Sequence, residues 1–316
     1  MTTANKRGDL GFRIGTGVLG ILLVVIVVMI AFELTRQSAL TIGKFGLRFW
    51  GTQTWNPIAG EFGALPFIWG TLYSSMLALL ISTPIALGIA IFIAELAPSS
   101  LQRPLVFLTE LLAAIPSIVY GLWGIFVLVP AVRALENALP DVLRQLPFFS
   151  GPARGVGMMA AALILAVMVI PFTSSVAREV LKSVPGAQRE GAYALGATRL
   201  EATRAALFYA RTGIVGAVML GFGRALGETM AVTMVIGNAP VVSASLLAPQ
   251  YTMAAVIANE FSEASDPLHL SALTEIGLVL FTITLIVNLL SRLLIWSMAR
   301  SARGPAVAAS PEVAVV

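Results

Sequence analysis

Six long stretches of this chain carry almost no charge, and any fold must first find an apolar place for them. Ile14 to Phe32 is a run of 19 uncharged residues, and Phe62 to Ala94, Leu111 to Val132 and Gly155 to Ala177 are equally free of Asp, Glu, Lys and Arg. Two more runs, Thr212 to about Gly237 and Ile276 to Met298, are interrupted only by Arg224 and Glu228 in the first and Arg292 in the second. A helix needs roughly 20 apolar residues to cross a bilayer, so six spans are predicted. The chain has 316 residues, 58% hydrophobic and 11% charged, with a mean hydropathy of +0.90, and these values exclude a large soluble domain. The expected fold class is an all-α integral membrane protein with six transmembrane helices.

The first run follows Lys6, Arg7 and Arg13 in the manner of a signal peptide, but it is too long for one. Glu33 to Arg36 also offers no small-residue cleavage site, so an uncleaved first span is expected. With the N-terminus inside, thirteen Lys and Arg residues fall in inside segments and six outside, which favours both termini being cytoplasmic. The organisation that follows has a cytoplasmic N-terminus at 1–13, a first span at 14–34 and an extracytoplasmic loop at 35–65. The main transmembrane bundle is expected at 66–300, with a cytoplasmic loop at 183–211, and a disordered cytoplasmic tail at 301–316. Arg292 does not count against the last span, because a long side chain carries its charge to the interface along an apolar stem.

Cysteine is absent and His269 is the single histidine, which leaves no thiolate metal site, disulfide or Cys nucleophile and almost nothing for a His-based site. His269 falls in the expected outside loop from Asn238 to Thr274 and reads as incidental. The three lysines, Lys6, Lys44 and Lys182, lie outside any phosphate-binding G-x-x-x-x-G-K-[ST] loop, so the chain itself is not expected to bind ATP. The basic balance of +4 fits loop lysines and arginines at a membrane and gives no reason to expect nucleic acid.

Pro84, Pro116 and Pro171 each remove a backbone donor inside an apolar run, where the helix must bend or break. Between the fourth and fifth runs the punctuation is strong: Pro185 favours a helix start, Gly196 an end, and Thr198 with Glu201 forms a capping box for a helix running into the fifth span. This elbow exposes Tyr193, Ala194 and Leu195 among charged neighbours. It suits either insertion into a groove on a partner or a solvated connector.

Arg224 and Glu228 are spaced i,i+4 and can pair if the helix is continuous. Each intramembrane charge costs about 2.5 to 3.5 kcal/mol on insertion scales. Two readings account for the pair: an anion path, to which guanidinium brings a planar fork, or a structural salt bridge fastening the fifth span to a neighbour. Gly213, Ala217, Gly221 and Ala225 form a small-residue stripe on the same helix that admits a close neighbour.

The elbow Glu190-Gly191-Ala192-Tyr193-Ala194-Leu195-Gly196 resembles the EAA-x-x-x-G loop of type I ABC importer permeases, the MetI-like family. Gly191 stands where that loop has its first alanine, and Phe208 where a proline is usual. The stretches WNPIAGEFGALPFIWGTLYSS from Trp55, AAIPSIVYGLWG from Ala113 and GFGRALGETMAVTMVIGN from Gly221 resemble, more narrowly, the permease subunits of phosphate-specific ABC importers. The resemblance implies a MetI-like bundle without enzymatic activity or a cofactor of its own, ATP and magnesium belonging to a separate ATPase. It further implies a homologous second permease subunit, two ATPase subunits docked on the elbow as a coupling helix, an extracytoplasmic phosphate-binding protein, and roles for Arg224 and Glu228 in phosphate passage. A permease for sulfate or molybdate, or an ion-coupled secondary transporter, remains the alternative.

Overall fold

The computed structural model describes residues 6–302. Among them, six helices are long and apolar enough to cross a membrane: Leu10–Gln37, Leu65–Leu96, Ser117–Asn137, Met158–Lys182, Arg199–Leu226 and Pro267–Met298. They are numbered as the first to sixth spans below. The first helix already begins at Lys6 and the last runs on to Ala302, while the rest of the expected tail lies outside the described residues.

Three boundaries depart from the hydropathy reading, each for a local reason. The charge-free run from Leu111 is divided at Pro116: one helix, Ser99–Ala114, ends, Ile115 and Pro116 are extended, and the third span starts at Ser117. Proline has no amide to continue the ladder and pushes its predecessor out of the helical region. Pro84 and Pro171 instead lie inside continuous helices. The fifth span stops at Leu226 rather than near Gly237, and the apolar residues beyond form a short helix, Met230–Thr233, and then irregular chain. The sixth span begins at Pro267, nine residues before its charge-free run, because the Asp266 carboxylate accepts the His269 amide at 3.3 Å and caps the new helix.

The chain divides into two compact units. One comprises Met1–Gly70, Asn238–Val242 and Gln250–Ile283, and its core gathers Phe49, Phe62, Phe67, Tyr251, Met253 and Leu273. Trp55 meets Phe62 and Phe67 edge-on at 4.9 and 4.8 Å, a favoured aromatic geometry, and donates its indole N–H to Glu260 Oε2 at 3.0 Å. His269 is not incidental. It is buried in the first turn of the sixth span, stacked on Phe62 at 5.4 Å, with Nε2 3.1 Å from the same Glu260 oxygen. One carboxylate thus braces two ring nitrogens that a wholly apolar core would have left unsatisfied.

The other unit comprises Thr71–Gly237, Ser243–Pro249 and Thr284–Val316. The fourth span is its centre, with Ile164, Leu165, Met168, Val169 and Leu181 buried. Against it lies the small-residue stripe of the fifth span: Ala217 and Ala225 are buried, and a Cβ on Gly213 or Gly221 would run into Val180 or Thr173. The helices approach this closely because the fifth span offers nothing larger than a methyl group at these four positions. Two π-turns, Phe92–Leu96 and Gly124–Leu128, close the second span and interrupt the third.

Two glycines on one helix separate packing from propensity. A Cβ on Gly70 would lie 2.2 Å from the Tyr251 carbonyl oxygen, whereas one on Gly88 would meet nothing within 4 Å. Gly70→Ala is expected to cost about 1–3 kcal/mol and Gly88→Ala to be neutral or to gain up to about 1 kcal/mol, read as unfolding midpoints in detergent.

Candidate functional site

The elbow folds as its punctuation requires. Pro185 precedes a helix at Gly186–Ala194, and Gly196 turns the chain at φ +80°, a conformation that favours glycine, with the Ala197 amide returning to the Ala192 carbonyl at 3.1 Å. Thr198 and Glu201 then cap each other's amides, the two halves of a capping box, and the helix continues without a break to Leu226. Phe208, where a proline would have removed an amide, sits mid-helix with the Arg211 guanidinium 4.3 Å over its ring. Glu190, Gly191, Tyr193, Ala194, Leu195 and Gly196 are exposed, Leu195 at 91%, and Ala192 is half-buried. Gly191 has open space where a Cβ would stand, so the missing methyl group costs this elbow no packing.

Hydropathy and motif gave no sign of what holds the elbow to the bundle. Arg189, on its buried side, directs Nε to Glu95 Oε2 at 3.1 Å and Nη2 to Glu95 Oε1, and also donates from Nη1 to the Val184 carbonyl and from Nη2 to the Leu181 carbonyl, both at 2.9 Å. Glu95 belongs to the π-turn that closes the second span. The guanidinium therefore ties three pieces of chain together: the elbow helix, the end of the fourth span and the end of the second. The Glu95 carboxylate raises the Arg189 pKa further above its ordinary value, so the link keeps its charge as pH rises through the physiological range.

Arg224 and Glu228 are close in sequence but are not partners. Arg224 lies in the last turn of the fifth span, while Glu228 comes after the helix has ended at Gly227, so the i,i+4 register that would have joined them does not exist. The Glu228 carboxylate turns the other way and accepts the Ala231 amide at 3.3 Å, closing the first turn of the next short helix. Arg224 makes no ion pair among the described residues; the Phe172 ring stands 5.8 Å from its Cζ, within cation–π range. The two residues form no salt bridge with each other in this structure.

The break that separates them is itself built. A Cβ on Gly121 of the third span would lie 3.2 Å from Ala231 Cα, so the short helix rests directly on that glycine. Beyond it, the Val235, Leu246 and Ala248 carbonyls accept the amides of Gly157, Met159 and Met158 at 3.0, 2.8 and 3.1 Å. The irregular return chain thereby caps the start of the fourth span. Arg224 is exposed three residues after Gly221 and seven after Ala217 on the same continuous helix, so a cation without an ion pair among the described residues stands at the edge of the packed seam beside an interrupted helix.

Removing one partner of the half-buried clamp tests its work. Glu95→Gln leaves the shape of the π-turn and takes away the charge; amide exchange across Gly186–Ala194 is expected to speed up about tenfold or more, while exchange in the middle of the fourth span stays unchanged. Equal exchange in both proteins would show that the elbow is held by packing alone.

Comparison with known proteins agrees with this architecture. Residues 86–300 match the family model described as "Binding-protein-dependent transport system inner membrane component". The chain is 44% identical over 290 residues to the phosphate transport system permease protein PstC of Mesorhizobium japonicum, covering 90% of this chain and 89% of that protein. It is 47% identical to the protein of the same name from Haemophilus influenzae, covering 91% and 93%. Among solved structures, a chain of the MetNI methionine ABC transporter in inward-facing form aligns at a TM-score of 0.56 and 16% identity, covering 73% of this chain and 94% of that one, which shows a shared fold. The chain belongs to the family of binding-protein-dependent transport system inner membrane components, multi-pass membrane permeases.

Proposed function

We propose that this chain is the permease subunit of an ATP-driven importer that carries inorganic phosphate across the cytoplasmic membrane, with both termini in the cytoplasm. One observation carries the reading: Arg224, a guanidinium with no carboxylate partner among the described residues, stands exposed at the edge of a broken helix. An arginine fork binds a tetrahedral oxyanion through charge-assisted hydrogen bonds, and in apolar surroundings an unpaired cation is costly unless an anion visits it. The names of the relatives supply phosphate as that anion.

In this reading, ATP and magnesium are handled by two ATPase subunits, and a homologous second permease completes the pathway. Glu190 to Gly196 seat in a groove of the ATPase, with Tyr193 and Leu195 as the inserted side chains. Closure of the ATPases moves the elbow, and the Arg189–Glu95 clamp carries that movement to the end of the second span. The fourth and fifth spans follow as one body, because their seam has no slack. Phosphate delivered by an extracytoplasmic binding protein then passes Arg224, while Glu228 keeps the break open by holding the Ala231 amide.

Proteoliposomes containing this chain with its permease, ATPase and binding-protein partners test the reading directly. Phosphate uptake is expected only with ATP on the ATPase side, and Arg224→Ala is expected to lower it roughly 10- to 100-fold, the weight of a lost charged hydrogen bond. Uptake that needs an ion gradient instead of ATP would overturn the importer. Stimulation by sulfate or molybdate in place of phosphate would reassign the anion, and full activity of Arg224→Ala would remove that residue from the path.

A further inference from the structure

A second cationic site lies away from Arg224, between the helix Ser99–Ala114 and the end of the fourth span that leads into the elbow. It is a cleft of about 370 Å³. Arg178 and Lys182 line it from the fourth span and Arg103 from the facing helix, with Glu110 as the carboxylate of the lining and Glu179 against Arg178 beside it, so three positive charges stand against two negative. Val106 and Phe107 complete the lining on an apolar side, and Phe107 remains 63% exposed.

Arg178 is the informative member. Its side chain is only 7% exposed, and its Nη2 is 2.8 Å from Glu179 and 3.6 Å from Glu110. Nε is buried without any hydrogen-bond partner. Arg189 makes the contrast, since in the same unit Nε, Nη1 and Nη2 all donate to protein oxygens. A guanidinium removed from water with a donor left over costs stability unless an acceptor arrives from elsewhere. Glu110 is mostly exposed and its contact is long, so it is free to swing away as that acceptor enters.

We propose that this cleft binds a phosphoryl oxyanion, held by Arg178 at its floor and by Arg103 and Lys182 at its mouth. Three cations converging on one pocket suit a tetrahedral group with two or more charged oxygens. The apolar wall beside them suits a group that arrives attached to something hydrophobic. Two sources share this chemistry: the phosphodiester of an anionic lipid, for which basic pockets between spans are a known kind of receptor, and free phosphate. The proposal rests on the importer reading only for which side of the membrane the cleft faces.

The test uses the assembled complex in neutral detergent, with two probes: phosphatidylglycerol, followed as molecules retained in native mass spectrometry, and radiolabelled inorganic phosphate, followed by equilibrium dialysis. Three versions are compared: the parent, the Arg103→Gln/Lys182→Gln double variant, whose substitutions are at exposed positions, and Arg224→Ala. Binding of one probe is expected to weaken about 30-fold in the double variant, because each substitution takes one positive charge from the mouth of the cleft, and to survive Arg224→Ala. Loss confined to phosphatidylglycerol identifies a lipid headgroup, and loss confined to phosphate identifies the free anion. Changes below threefold for both probes in a double variant that still assembles would overturn the site. Loss only in Arg224→Ala would do the same, because the anion would then belong to the pathway.

Discussion

Backbone amides and carbonyls freed from a helix in apolar surroundings must find partners within the protein, and this constraint organises the molecule. The chain leaves helical geometry at two places next to its buried seam, and both are repaired. At Pro116 the Tyr120 hydroxyl donates to the Leu112 carbonyl at 2.8 Å, covering an acceptor at the end of the preceding helix. At Gly227 the repair is longer: Glu228 takes the Ala231 amide, and the returning chain from Val235 to Ala248 offers its carbonyls to the amides that open the fourth span. One broken helix end thus satisfies the start of another.

Such repairs give the break a fixed shape, and the fixed shape is what exposes Arg224. Had the fifth span continued to Gly237, Glu228 would have come round to the same face and neutralised the guanidinium. Ending the helix two residues before the glutamate assigns the carboxylate to a backbone amide and leaves the cation without an ion pair among the described residues. The elbow follows a similar economy. Its one long basic side chain, Arg189, is turned inward onto Glu95 and two carbonyls, and its outer face is exposed. A rigid inner attachment and a free outer face are what a lever between two proteins needs.

Local chemistry wrote part of this into the sequence, and distance hid the rest. The six spans were legible because charge-free runs of this length have few alternatives, and the elbow because Pro185, Gly196 and the Thr198–Glu201 pair act within a few residues. The end of the fifth span was not, since apolar residues after Gly227 look alike whether they continue a helix or pack irregularly against a neighbour. The Arg189–Glu95 clamp joins residues 94 apart, and Trp55 and Glu260 meet across 205. Arg189 entered the sequence reading only as a positive charge on one side of the membrane, and His269 as a loop residue, because nothing local announces a partner that far away.

The proposed function requires the interrupted helix beside Arg224 to face opposite sides of the membrane in turn. The absence of cysteine makes the measurement clean: Gly227→Cys introduces the chain's single thiol at an exposed position where a side chain fits without a clash. In the reconstituted complex, a membrane-impermeant thiol reagent is expected to reach it from the cytoplasmic side without nucleotide, and from the outside once the ATPases are held closed with ATP. Labelling from the same side in both states would contradict alternating access at this site.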